Sequence, residues 1–259
     1  MTTRSLVLYG GLAVCAGILT IGAARCQSDA GPVNYAGRNH PGPPLPQPHP
    51  TVAAIPLQKY AVPDYGLSGS YPKTWEIPKY SPDANTVFEL THGPDTCFEL
   101  GFLPGVRSRV KAGVPNLPEP DLLKLMLDEG VRGAAESETF FAGTNKTELD
   151  YDKLTFGTQE VRSVTMLIER PTGVLEGLDP EAREQLLLSQ KHYFDLCPEG
   201  ARRLARQYVW VLGDDVWIAQ LVAPPATFLQ RATEVEEAIL PHLAFTNRKV
   251  APVVSKGGG

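Results

Sequence analysis

The chain has 259 residues, 42% of them apolar and 20% charged, so it carries enough apolar material for a core and is neither collagen-like nor disordered throughout. Its 24 Lys and Arg against 29 Asp and Glu leave a formal charge of −5, which excludes the basic footprint of a nucleic-acid binder. Glycine and proline, 24 of each, exceed what one compact domain uses and predict a linker.

Arg4 precedes an uncharged apolar run from Leu6 to Ala24, which Arg25 closes. These 19 residues would make a helix of about 28 Å at about 1.5 Å per residue, close to the hydrocarbon thickness of a bilayer. Residues 1–26 therefore read either as a cleaved signal peptide, with Gly22-Ala23-Ala24 at the cleavage point, or as a retained membrane anchor. Lipidation at Cys26 or Cys15 is a third reading, against which Arg25 stands where a small residue is wanted. All three readings put the remaining chain outside the cytoplasm, in the periplasm or cell envelope, secreted or anchored by its N-terminal segment.

Residues 27–58 lose all apolar period, and Pro41, Pro43, Pro44, Pro46, Pro48 and Pro50 favour an extended spacer. A Pro-rich recognition ligand is the alternative. His40 and His49 lie here without further metal ligands nearby.

Residues 59–247 carry the elements of a domain. A first strand leads from Tyr65 towards Trp75. Thr86 to Thr91 and Thr96 to Leu103 form a hairpin around His92-Gly93-Pro94-Asp95. Asp121 caps a helix with Leu122, Leu125, Met126 and Glu129 at helical spacing, which Gly130 is expected to end. Leu154 to Glu169 reads as strand material turning at Gly157-Thr158, and residues 171–200 as an insertion holding a helix from Pro180 to Leu188 capped by Asp179.

A second hairpin, Arg206 to Leu212 and Val216 to Val222, turns at Gly213-Asp214-Asp215. The adjacent acids are read as turn residues, because neighbours in a tight turn seldom converge on one substrate atom. In the last helix Phe228, Ala232, Val235, Ile239 and His242 make a stripe towards the sheet, with Arg231, Glu234, Glu236 and Glu237 on the solvated face. Pro241 breaks it, Leu243 to Phe245 close onto the core, and residues 248–259 form a flexible tail. Strands, a helix, more strands and a last helix predict an α+β fold, an antiparallel sheet packed by helices.

The element Tyr71-Pro72-x-x-Trp75 after the first strand resembles a signature of the PsbP-like and DcrB-like domain family, named for an extrinsic photosystem protein and a bacterial periplasmic protein. The C-terminal order, Ala219 to Pro224 and then Ile239-Leu240-Pro241-His242-Leu243-Ala244-Phe245, is similar too, with His242 where the family typically has serine. The resemblance spans about residues 59–247. It implies a PsbP-like α+β domain that is not an enzyme, uses no cofactor or metal, and binds or positions another protein at the cell envelope, tethered to the membrane if the leader is uncleaved. An exported hydrolase with an unrecognised site and a small-ligand carrier are the alternatives.

No P-loop, dinucleotide-binding glycine pattern, His-Glu-x-x-His or Gly-x-Ser-x-Gly occurs in the chain. His192, Asp195 and Cys197 come nearest to a reactive set, but catalytic partners usually converge from separate elements. Asn145-Lys146-Thr147 is a glycosylation sequon, meaningful only in a eukaryotic secretory path. Cys97 and Cys197 are the two cysteines of the domain, and outside the cytoplasm their pairing is expected, two buried free thiols being the alternative. The insertion is the expected partner contact, through Leu186, Leu187, Tyr193 and Phe194, with core packing as the competing use of the same residues.

Overall fold

The computed structural model describes residues 55–78, 86–136 and 144–245. Residues 1–54 and 246–259 lie outside them, and with them the readings of a leader, of Cys15 and Cys26, of the proline run and of a tail.

Strands β1 (Leu57–Val62) and β2 (Leu67–Pro72) form a hairpin that β9 (Ala244–Phe245) extends to a three-stranded sheet. A second sheet has six strands, in the order β3 (Thr86–Thr91), β4 (Cys97–Leu103), β8 (Asp215–Ala223), β7 (Arg202–Leu212), β6 (Gln159–Glu169) and β5 (Asn145–Phe156). Every pairing is antiparallel. The helices are α1 (Val106–Gly113), α2 (Glu119–Glu136), α3 (Pro180–Leu196) and α4 (Phe228–Glu234), the last continued by a π turn over Val235–Ile239. No described helix is long and apolar enough to cross a membrane.

The expected α+β class, antiparallel strands packed by helices, is the one observed. β7 from Leu204 to Val211 and β8 along its length are almost entirely buried, Gln207 and Gln220 included, because both faces of the six-stranded sheet are covered. Tyr208 and Trp210 point to one side, where Trp75, Phe228, Val235 and Ile239 meet the smaller sheet. Val209 and Val211 point to the other, under Leu122, Met126 and Leu127 of α2 and the end of α3.

Tyr71 and Pro72 close β2, and Trp75 is fully buried, as a core signature requires. Its indole Nε1 donates to Glu234 Oε2 at 2.8 Å. Glu234, expected on a solvated face, is therefore buried, with Arg231 donating to both its oxygens at 2.6 and 2.7 Å. Glu236 likewise accepts from Arg206 at 2.7 Å and Tyr208 at 2.9 Å. His242 leaves the stripe and is exposed, because Pro241 tightens the chain into a 3-10 turn over Leu240–His242.

Gly130 does not end its helix. A Cβ there would stand 2.8 Å from Val209 Cγ1, so the glycine lets α2 lie close against the sheet. α1 is not among the expected elements, since Val106–Gly113 is polar apart from Ala112 and from Val106 and Val110, which lie one turn apart and are its contact with the core. Its N-terminus is held by the β7–β8 turn: Asp214 Oδ1 accepts from Ser108 N and Oγ, both at 2.8 Å, and Asp215 Oδ1 accepts from Gly105 N at 2.9 Å. β1 begins at Leu57, inside the stretch read as spacer.

Candidate functional site

Strand alternation builds the first half of the site. Cys97 and Glu99 are two residues apart on β4 and share a face, and Glu89 of β3 is the register partner of Glu99. That face lies under α3, from which His192 reaches down. Its Nε2 stands 3.2 Å from Glu99 Oε1 and 3.4 Å from Glu89 Oε1. Cys97 Sγ donates to Glu89 Oε1 at 3.3 Å and lies 3.8 Å from Glu99 Oε1. The hydroxyl of Tyr193 donates to the other oxygen of Glu99, Oε2, at 3.2 Å. Glu89, Cys97 and Glu99 are buried, while the His192 side chain keeps 29% of its surface in solvent.

Electrostatics follow from this placement. Burial pushes the Cys97 thiol well up, and the charges of Glu99 and Glu89 push it further. Burial works against a charged His192, but the hydrogen bond and charge of Glu99, with Glu89 and Asp195, outweigh it, and the imidazole is raised. A buried thiol among carboxylates is the opposite of an activated nucleophile, which needs a depressed pKa.

α3 is secured at both ends. Asp179 Oδ1 accepts from Ala182 N at 2.9 Å, the expected cap, with Pro180 in the first turn. At the other end the buried Arg170 donates from Nε to the carbonyl of Cys197 at 2.5 Å and from Nη2 to that of Tyr193 at 3.4 Å. Its guanidinium also lies 3.6 Å from the centroid of the Phe194 ring. The helix runs to Leu196, beyond the Leu188 expected, because these last turns cover the sheet.

Beside α3 lies an apolar groove of about 530 Å³, walled by Leu175, Leu178, Pro180, Leu187 and Phe194. Arg183, Lys191, Glu176, Glu184 and Asp195 rim it. Its outer wall is a loop that Glu199 holds by accepting from Gly173 N and Leu175 N, each at 3.1 Å.

Of the expected contact residues, Leu187 lines the groove and Leu186 is half-buried on the same helix. Tyr193 is buried on Glu99, away from the groove, whereas Phe194, largely buried and with the Arg170 guanidinium on its ring, forms part of the groove wall. The set His192, Asp195 and Cys197 does not assemble. Asp195 pairs with Lys191 at 2.5 Å on the exposed side, and Cys197 follows the last helical residue.

The expected Cys97–Cys197 pairing is corrected, since both thiols are buried and free. Cys97 Sγ faces the two carboxylates, whereas Cys197 Sγ faces the carbonyl of Ala201 at 3.8 Å. His192, whose ring nitrogen lies within 4.8 Å of the Cys97 sulfur, precedes Cys197 by five residues, about 7.5 Å along the helix axis.

No family model and no curated protein matches the chain. Solved structures similar to it include the cyanobacterial PsbP of Synechocystis sp. PCC 6803, at 7% identity and a TM-score of 0.41 over 77% of this chain and 98% of that one. LpqN of Mycobacterium tuberculosis, described as involved in cell envelope biogenesis, is similar at 12% identity and a TM-score of 0.40, over 75% of this chain and 93% of its own. The Ran-binding protein Mog1p of Saccharomyces cerevisiae follows at 8% and 0.33, over 70% and 85%. A PsbP thus stands among the similar structures, as does a protein of the cell envelope.

Proposed function

We propose that this chain is a non-catalytic module of the cell envelope that binds or positions another protein, and that the groove beside α3 takes an apolar segment of that partner. The observation that carries the reading is the groove itself: leucines and a phenylalanine line it, and charges of both signs rim it. Such a surface suits an amphipathic segment whose apolar side chains fill the trough while its polar flanks meet the rim. The leader and the proline-rich spacer fit a domain held off a membrane. The buried state of the Glu89, Cys97, Glu99 and His192 cluster and its raised thiol speak against covalent catalysis there.

A photo-crosslinker at position 187, in place of Leu187, tests this in the native envelope. The expected result is one discrete protein adduct, lost when Leu178→Arg is added and absent from a crosslinker at exposed Glu160. An adduct indifferent to Leu178→Arg sinks the reading. A volume of about 530 Å³ also fits a small molecule, the carrier reading. Native mass spectrometry distinguishes them: a co-purifying small molecule displaced by Leu178→Arg supports the carrier instead.

A further inference from the structure

The cluster of Glu89, Cys97, Glu99 and His192 draws one sulfur, one nitrogen and two carboxylate oxygens to within 4.8 Å of one another, from two strands and a helix. Its four N–O and S–O separations are close to the edges of a coordination tetrahedron. With bonds of about 2.0 Å to nitrogen and oxygen and about 2.3 Å to sulfur, the edges of such a tetrahedron are about 3.3 Å between N and O and about 3.5 Å between S and O. The imidazole nitrogen stands 3.2 and 3.4 Å from the two carboxylate oxygens, and the sulfur 3.3 and 3.8 Å from the same two.

We infer that these four side chains form a binding site for a divalent zinc-class ion. Three further features suit it. Glu89 and Glu99 are directly opposed across the strand pair, and the same oxygen of each, Oε1, converges with the His192 nitrogen and the Cys97 sulfur. Tyr193 bonds the oxygen of Glu99 that faces away from the site, as an outer partner that orients a ligand. The partly exposed His192 is the point of entry.

Thiolate and imidazole together select zinc over magnesium or calcium, which take oxygen ligands. Four protein ligands leave no position for a substrate, so the ion fastens α3 to the β3–β4 hairpin and does no chemistry. On binding, the thiol gives up its proton to solvent and sulfur takes the metal in its place. This inference is independent of what the groove binds.

Cobalt(II), a spectroscopic substitute for zinc, tests it on the metal-stripped, phosphine-reduced full chain. The expected result is one equivalent bound, with intense tetrahedral d–d bands and a thiolate-to-cobalt charge-transfer band. Cys97→Ser loses the charge-transfer band, and His192→Ala weakens binding at least about tenfold. A variant with Cys15, Cys26 and Cys197 all changed to Ser keeps both signals. Zinc also raises the melting temperature of the wild type, and not of His192→Ala. Failure of the wild type to take up cobalt overturns the site, as do bands of octahedral intensity, a charge-transfer band persisting in Cys97→Ser, or one lost from the triple variant.

Discussion

Replacing Gly130 by alanine sets two effects of opposite sign against each other. In a helix interior the change is ordinarily favourable, because glycine costs about 0.8–1.0 kcal/mol relative to alanine. Here the new methyl would stand 2.8 Å from Val209 Cγ1, with Val216 Cγ1 at 3.7 Å. Val209 cannot step aside: it is fully buried, its β-branched side chain has few rotamers, and its strand is paired on both edges. Overpacking of this kind costs about 1–3 kcal/mol. Crowding therefore wins, and Gly130→Ala destabilises by about 1 kcal/mol net of the helix gain. Denaturant melts followed by circular dichroism give the value, with the midpoint falling and the slope unchanged. The cycle is completed in a Val209→Ala background, where the methyl has room and Gly130→Ala becomes stabilising by close to the full helix gain of about 0.9 kcal/mol. A stabilising Gly130→Ala in the wild-type background, or the same sign in both, refutes the close-packing role.

Trp75→Ala empties a fully buried indole site and costs about 3–5 kcal/mol, while Trp75→Phe removes mainly the bond to Glu234 and costs about 1–2 kcal/mol; equal losses in denaturant melts would show that the hydrogen bond is irrelevant. Asp214→Ala strips the α1 terminus of its acceptor and costs about 0.5–2 kcal/mol, with amide exchange at Ser108 rising first. Backbone amides hold the Glu199 carboxylate below its ordinary range, so the bonds to the groove loop are complete above that range and fail as pH falls through the depressed value. Exchange at Gly173 and Leu175, corrected for intrinsic rate, should rise there in the wild type and be pH-independent in Glu199→Gln. A non-reduced digest should contain no peptide linking Cys97 to Cys197, and both thiols should alkylate quickly only after denaturation.

Local chemistry was legible wherever neighbours in the chain decide it. The β7–β8 turn at Gly213, the Asp179 cap and the burial of Trp75 all follow from residues a few positions apart or from a short motif. Side chains whose role depends on distant partners were not. Glu234 reads as a solvated acid on its own helix, and only Trp75, 159 positions away, makes it a buried acceptor. Gly130 reads as a stop because nothing local reveals Val209 beneath it. His192 was noticed, but with Asp195 and Cys197, its neighbours in sequence. Its partners Glu89 and Glu99 come from strands that the six-stranded sheet brings under α3. One signal was present: an acid at position 89 inside the buried run Val87 to Leu90 has no business in a core without a partner.

Two turns of this protein look alike and would respond oppositely to added sequence. Gly157 and Gly213 both adopt positive φ, and neither has an atom packed where a Cβ would stand. The Gly157 turn joins the edge strand β5, largely exposed along its length, to β6, so an inserted tag or domain there lengthens a free hairpin end. An insertion after Gly213 instead carries Asp214 away from Ser108 and loosens α1. Fusion partners and purification tags therefore belong at Gly157-Thr158, while the β7–β8 tip must keep its length.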